Sequence, residues 1–176
     1  MRIQLLSVGR RMPTWVNEGF NEYAKRLPPS CALSLVEIEP AARGKGRGRG
    51  HGKAGQRAQR SAAERDRLLA EEGERLLKAT PSAALAIALD VDGRAWSTEA
   101  LAAELAAWLA GGRDLALLVG GPDGLSRDCL ARAEQRWSLS PLTFPHPLVR
   151  VILAEQLYRA WSLLQGHPYH RGSIAT

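Results

Sequence analysis

The chain has 176 residues, 45% of them hydrophobic, with a formal net charge of +6 and a pI near 9.9. That length fits a single domain able to bury a core, and the basic balance points to an anionic partner. Two cysteines, Cys31 and Cys129, are too few for a disulfide framework and fit a reduced cytoplasmic setting; the N-terminal apolar run is too short and interrupted for a signal peptide, and the longest apolar helix carries Arg150, Glu155, Gln156 and Arg159, which argues against a membrane span.

In chain order, Ile3 to Val8 alternates little and ends in Gly9, so it reads as a buried first strand. Pro13 opens a helix whose Val16, Phe20, Tyr23 and Leu27 share one face, and Pro28-Pro29 ends it. Ala32 to Ile38 reads as a second strand, and the β–α–β order predicts parallel pairing through a right-handed crossover. Residues 43–60, RGKGRGRGHGKAGQRAQR, hold six glycines and seven Lys/Arg with no acid, the composition of a flexible basic insert. Two readings stand for it: a solvated loop, tolerated at small entropic cost, or an arm whose arginines neutralise RNA phosphates.

Helical character resumes near Ala62 and runs to Ala79, with Leu68, Leu69, Leu76 and Leu77 on its apolar side. Ala84 to Val91 reads as a third strand with Asp92-Gly93 as its turn. Ser97 or Thr98 then caps a helix that carries Glu99 in its first turn and ends at Gly111-Gly112. Nothing in this order suggests a linker or an internal repeat, so residues 1–176 form one domain.

The most informative stretch runs from Asp114 to His170. A Leu/Val run ends in Gly-Gly-Pro-Asp-Gly, a strand delivering the chain into a tight turn where a ligand could approach the backbone. Ser126 caps a short helix, Trp137 to Phe144 reads as a second strand-like run ending in Pro-His-Pro, and Leu148 to Gln165 is an apolar helix closed by Gly166 and Pro168. Strand ends meeting a helix start describe a cofactor site at the carboxyl edge of a parallel sheet.

Each feature also has a plainer explanation. The glycine cluster is neither GxGxxG nor a Walker A sequence, and alone it would be a structural turn. His167, His170, His146 and Cys129 could suggest zinc, but Pro168 breaks helical spacing and no cysteine pair accompanies them, so no metal is expected. Trp137 and Trp161 read as packing residues and not as base-stacking platforms.

The blocks LLVGGPDGLS at 117–126, WSLSPLTFPHPLVRVILAEQLYRAWS at 137–162 and HPYHR at 167–171, with MRIQLLSVG and MPTWVNEGFNEYAKRLP near the N-terminus, resemble the ribosomal RNA large subunit methyltransferase H family of the SPOUT superfamily. The resemblance covers nearly the whole chain. It implies a SPOUT-type α/β knot: a parallel sheet flanked by helices, with a C-terminal trefoil knot. It further implies S-adenosylmethionine as cofactor, held by Leu89, Gly120, Leu139, Ser140, Pro141, Leu142, Thr143 and Phe144. The implied reaction is methyl transfer to N3 of a pseudouridine in 23S ribosomal RNA, within the assembled ribosome, by a homodimer. Tyr169, His170 and Arg171 match the family's substrate-bordering cluster, with His170 a possible base and Arg171 able to orient an oxygen through its fork of donors. His146 is a second candidate base, with holding the cofactor loop as its structural alternative. Two other functions stay open: a non-catalytic RNA- or ribosome-binding protein acting through the basic insert, or a SPOUT methyltransferase of another RNA.

Overall fold

The computed structural model describes residues 1–42 and 54–169, with side chains described from residue 62 in the second segment. Residues 43–53, most of the basic insert, and His170, Arg171 and the tail to Thr176 lie outside the described residues. Among the described residues, five strands form one sheet: β1 (Arg2–Val8), β2 (Ala32–Ile38), β3 (Leu85–Ala95), β4 (Leu115–Val119) and β5 (Gln135–Ser138). Their order is β2-β1-β4-β3-β5, and every pairing is parallel.

Alternation along the strands sorts the core into two layers, because successive side chains point to opposite faces. Ile3, Leu5, Ile87, Leu115 and Leu117 face α1 (Thr14–Ala24), α3 (Thr98–Gly111) and α5 (His146–Leu164). Leu6, Val8, Ala86, Ala116 and Leu118 face α2 (Ala54–Ala79) and α4 (Arg127–Arg132). Both faces of the sheet are therefore covered, which is why β4 reads as an unbroken apolar run, LALLV, with all five residues buried.

The helix termini follow local chemistry. Ser97 Oγ accepts from the Ala100 amide at 3.1 Å and Ser126 Oγ from the Cys129 amide at 3.2 Å, capping α3 and α4. Gly112, at φ +68, ends α3 in the left-handed conformation.

Three expectations change. α2 starts at Ala54, inside the segment whose composition reads as loop; from Ala54 the residues AGQRAQRS are mostly good helix formers, and five of the six glycines that suggest a loop precede them. Asp92-Gly93 is not a strand-ending turn, since β3 continues to Ala95. The run from Trp137 to Phe144 is not one strand: β5 stops at Ser138 and residues 139–145 form a loop. Pro141 and Pro145 lack the amide a ladder needs, and Ser138 has the last β3 partner, Ala95, beside it.

Candidate active site

The carboxyl ends of β3, β4 and β5 meet the start of α5 around a cleft of about 220 Å³. Of the residues that the resemblance assigns to cofactor binding, Leu89, Gly120, Leu139, Ser140, Leu142, Thr143 and Phe144 line it, and Pro141 does not. The cleft is also lined by His146, the second candidate base beside the cofactor loop, and by Asp90, Val91 and Ser138, which motif reading does not assign to it.

Each wall has a local cause. After β4 the chain turns back on itself: Gly124 N–H donates to Gly121 O at 3.0 Å, with Gly124 at φ +93. This brings the turn over Gly120, where an added Cβ would lie 2.0 Å from the Gly124 oxygen. The side on which a Cβ would point is thus taken by the protein's own backbone, so a side chain at Gly120 would displace the turn, while the Gly120 backbone itself lines the cleft.

On the second wall, Leu89 and Arg94 both pair with Trp137, so Asp90 to Gly93 bulge out of the ladder. Trp137 itself is buried and packs on Trp96 with ring centroids 5.0 Å apart, so it is both a packing residue and part of the cleft. In the third wall, Leu142 N–H donates to Ser140 Oγ at 2.9 Å, and Ser138 Oγ donates to Ser140 O at 3.3 Å. Among the described residues, 140–144 make no backbone–backbone hydrogen bond.

Behind the cleft, α5 is anchored by a fully buried arginine. Arg150 Nε donates to Ser7 Oγ at 3.2 Å, Nη1 to Glu37 Oε1 at 2.7 Å and Nη2 to Gly9 O at 2.7 Å, so the guanidinium ties the first turns of α5 to the ends of β1 and β2. His146, at the start of the same helix, has its pKa lowered by burial and by the Arg150 charge, partly offset by Glu72. Its imidazole is therefore neutral at pH 7. Because the unfolded chain binds this proton more readily than the folded one, stability should be insensitive to this group above about pH 6.5, decline as pH falls through the lowered folded value, and then level off. Thermal melting from pH 7.5 to 5 should show a shallower decline for His146→Gln than for the wild type; equal slopes would remove His146 as the cause.

Tyr169, the described residue of the C-terminal cluster, does not line the cleft. It follows α5 in the chain, its hydroxyl donating to Glu155 Oε1 at 3.1 Å and its ring 4.8 Å from that of Tyr158. The Arg159 guanidinium lies 5.1 Å from the Tyr169 ring centroid. Burial, followed by contacts with Tyr23 and the Glu155 charge, pushes the phenol pKa up, so at neutral pH it keeps its proton. Tyr169 thus folds back onto the middle of α5, where Glu155 lies about 14 Å along the helix from His146, and it does not line the cleft of its own chain. Among the described residues no group of three His, Cys, Asp or Glu could hold a metal, and no helix is long and apolar enough to cross a membrane.

A family model described as "Predicted SPOUT methyltransferase" matches residues 1–170. Ribosomal RNA large subunit methyltransferase H of Alkalilimnicola ehrlichii is 63% identical over 97% of this chain and 99% of its own, and that of Methylococcus capsulatus is 55% identical over 97% and 100%. A methyltransferase structure from Legionella pneumophila with bound SAM aligns at 11% identity and a TM-score of 0.45, covering 91% of this chain and 66% of that one. With its parallel α/β architecture and near full-length identity to these relatives, the chain belongs to the ribosomal RNA large subunit methyltransferase H family of SPOUT methyltransferases.

Proposed function

We propose that the chain binds S-adenosylmethionine in this cleft and methylates N3 of a pseudouridine in 23S ribosomal RNA, working as a cytoplasmic homodimer on the assembled ribosome. The observation that carries the reading is the cleft itself, at the carboxyl edge of a parallel sheet where open α/β folds take nucleotides. Its donor set suits the cofactor: Leu89, Leu139 and Phe144 offer apolar contact to a purine ring, and the 140–144 backbone has amides and carbonyls not used by other backbone. The names of the relatives support the ribosomal substrate.

When bound, the cofactor supplies an electrophilic methyl group on a sulfonium. Transfer forms an N3–C bond as the S–C bond breaks, and the N3 proton must leave. The protein's part is alignment and proton handling. Tyr169 stays protonated and bonded to Glu155, which makes it a positioning group and not the base. His170 is the proposed proton acceptor and Arg171 the group that orients a substrate oxygen. Because Tyr169 packs against the middle of α5 and does not line the cleft, a second copy is the proposed source of the tail that completes each site. Half-buried Leu148, Val151 and Ile152 on α5, and exposed Trp15 on α1, offer apolar surface for that contact.

Titration calorimetry with S-adenosylmethionine should show one site per chain, and incubation with ribosomes should add one methyl group that mass mapping locates on N3 of a pseudouridine. No cofactor binding, alone or with ribosomes, would remove the enzyme reading. A methyl group mapped to another RNA would favour the broader SPOUT alternative.

A further inference from the structure

Asp90 is the sole carboxylate among the described residues that line the cleft, and its side chain is only 17% exposed. It is there because Asp90 to Gly93 leave the sheet between two successive pairings of β3 with Trp137. The excursion is tightly fitted, since a Cβ at Gly93 would fall 2.8 Å from the backbone of Arg136 and Trp137. Its present partners are weak. Oδ1 accepts from the Asp92 amide at a long 3.4 Å, and Oδ2 faces the half-exposed Arg136 guanidinium at 3.8 Å, beyond hydrogen-bond range. A carboxylate has about four acceptor positions, so most of its capacity is unspent.

The surroundings say what it would meet. Val91, next in the chain, is 71% exposed, and Leu142, from the loop after β5, is 70% exposed; both line the cleft. Two large apolar side chains open to solvent around one cavity suit a planar aromatic base, and the group attached to that base is a sugar with two adjacent hydroxyl donors. We propose that Asp90 recognises the ribose of the bound nucleoside, its carboxylate accepting hydrogen bonds from the 2′ and 3′ hydroxyls. The inference rests on the reading that this cleft takes S-adenosylmethionine.

The alternative partner for a carboxylate is the ammonium at the cofactor's amino-acid end, and ligand choice separates the two. Calorimetry would use S-adenosylhomocysteine, 5′-methylthioadenosine, which keeps the ribose but lacks the amino-acid end, and the 2′-deoxy analogue of the latter. Asp90→Asn should weaken the first two ligands alike, by about ten- to a hundredfold for lost hydrogen bonds to a charged acceptor. The wild type should prefer 5′-methylthioadenosine over its 2′-deoxy analogue, and Asp90→Asn should lose that preference. This ratio is internal to each protein and stays readable if the variant is somewhat less stable. Arg136→Gln, which removes the ion pair and keeps Asp90, should bind both ligands within twofold of wild type. A loss confined to S-adenosylhomocysteine would assign Asp90 to the ammonium and overturn the proposal, as would an equal loss in Arg136→Gln or an unchanged ribose preference. If the wild type binds none of these ligands, the methyltransferase reading fails first, an outcome distinct from a wild type that binds and a variant that binds equally well.

Discussion

Mixed dimers of two inactive variants should recover methylation. One variant, Thr143→Trp, fills the cofactor cleft from a loop residue outside the core; the other, His170→Ala with Arg171→Ala, removes the proposed base and orienting group. If a site combines the cleft of one chain with the tail of the other, every mixed dimer holds one intact site and one doubly damaged one. With random exchange of equal amounts, half the dimers are mixed, so activity should reach about a quarter of wild type. Each parent homodimer should be inactive. The expectation follows from Tyr169, which packs on Glu155 about 14 Å along α5 from His146 and outside the cleft of its own chain. Recovery is measured as labelled methyl incorporation after subunit exchange, with exchange itself followed by a tag on one parent. No recovery despite demonstrated exchange would place cleft and tail of each site in the same chain.

The second large effect is on stability. Arg150→Ala should cost on the order of 3 kcal/mol, because breaking a buried charged network leaves its partners without a counterpart and opens a cavity. The abandoned groups would be Ser7 Oγ and the Gly9 carbonyl, while Glu37, about a third exposed, can recover water. Arg150→Lys should lie between, since one ammonium cannot reproduce a planar fork reaching three acceptors. Denaturant unfolding reads the difference. Cofactor affinity should also fall, because the first turns of α5 carry His146 and Val149 into the cleft. A cost below about 1 kcal/mol would show that α5 is held by its apolar face and not by this arginine.

Much of the architecture was legible locally. Ala32–Ile38 is recovered with both ends correct because prolines bound it and its seven residues suit a pleated surface. Ser97, Ser126 and Gly112 announce helix ends through chemistry contained within four residues. What failed depended on distant chain. Residues 137–144 alternate like a strand, yet only the position of β3 decides that pairing stops at Ser138. Asp92-Gly93 looks like a turn because nothing nearby reveals that Trp137 pairs twice with β3. Arg150 looked like ordinary helix polarity, although its acceptors at Ser7 and Gly9 lie more than 140 positions away. The place of the cleft at the strand ends was legible from the turns, but its lining residues came only through motif resemblance, and that route passed over Asp90, whose relevance comes from the bulge.

The strand order β2-β1-β4-β3-β5 also constrains how the chain reaches this state. β4 pairs with β1 on one side and β3 on the other, so without it the sheet is two unconnected halves. β1 leaves the ribosome first, yet one of its edges has no partner until Leu115–Val119 follows, more than 100 residues later. At about 5–20 residues per second that wait is on the order of 10 s, during which the β1–β2 unit exposes an apolar edge. Joining parallel strands so far apart in the chain makes the final step slow and leaves the nascent N-terminal half the part most prone to aggregation.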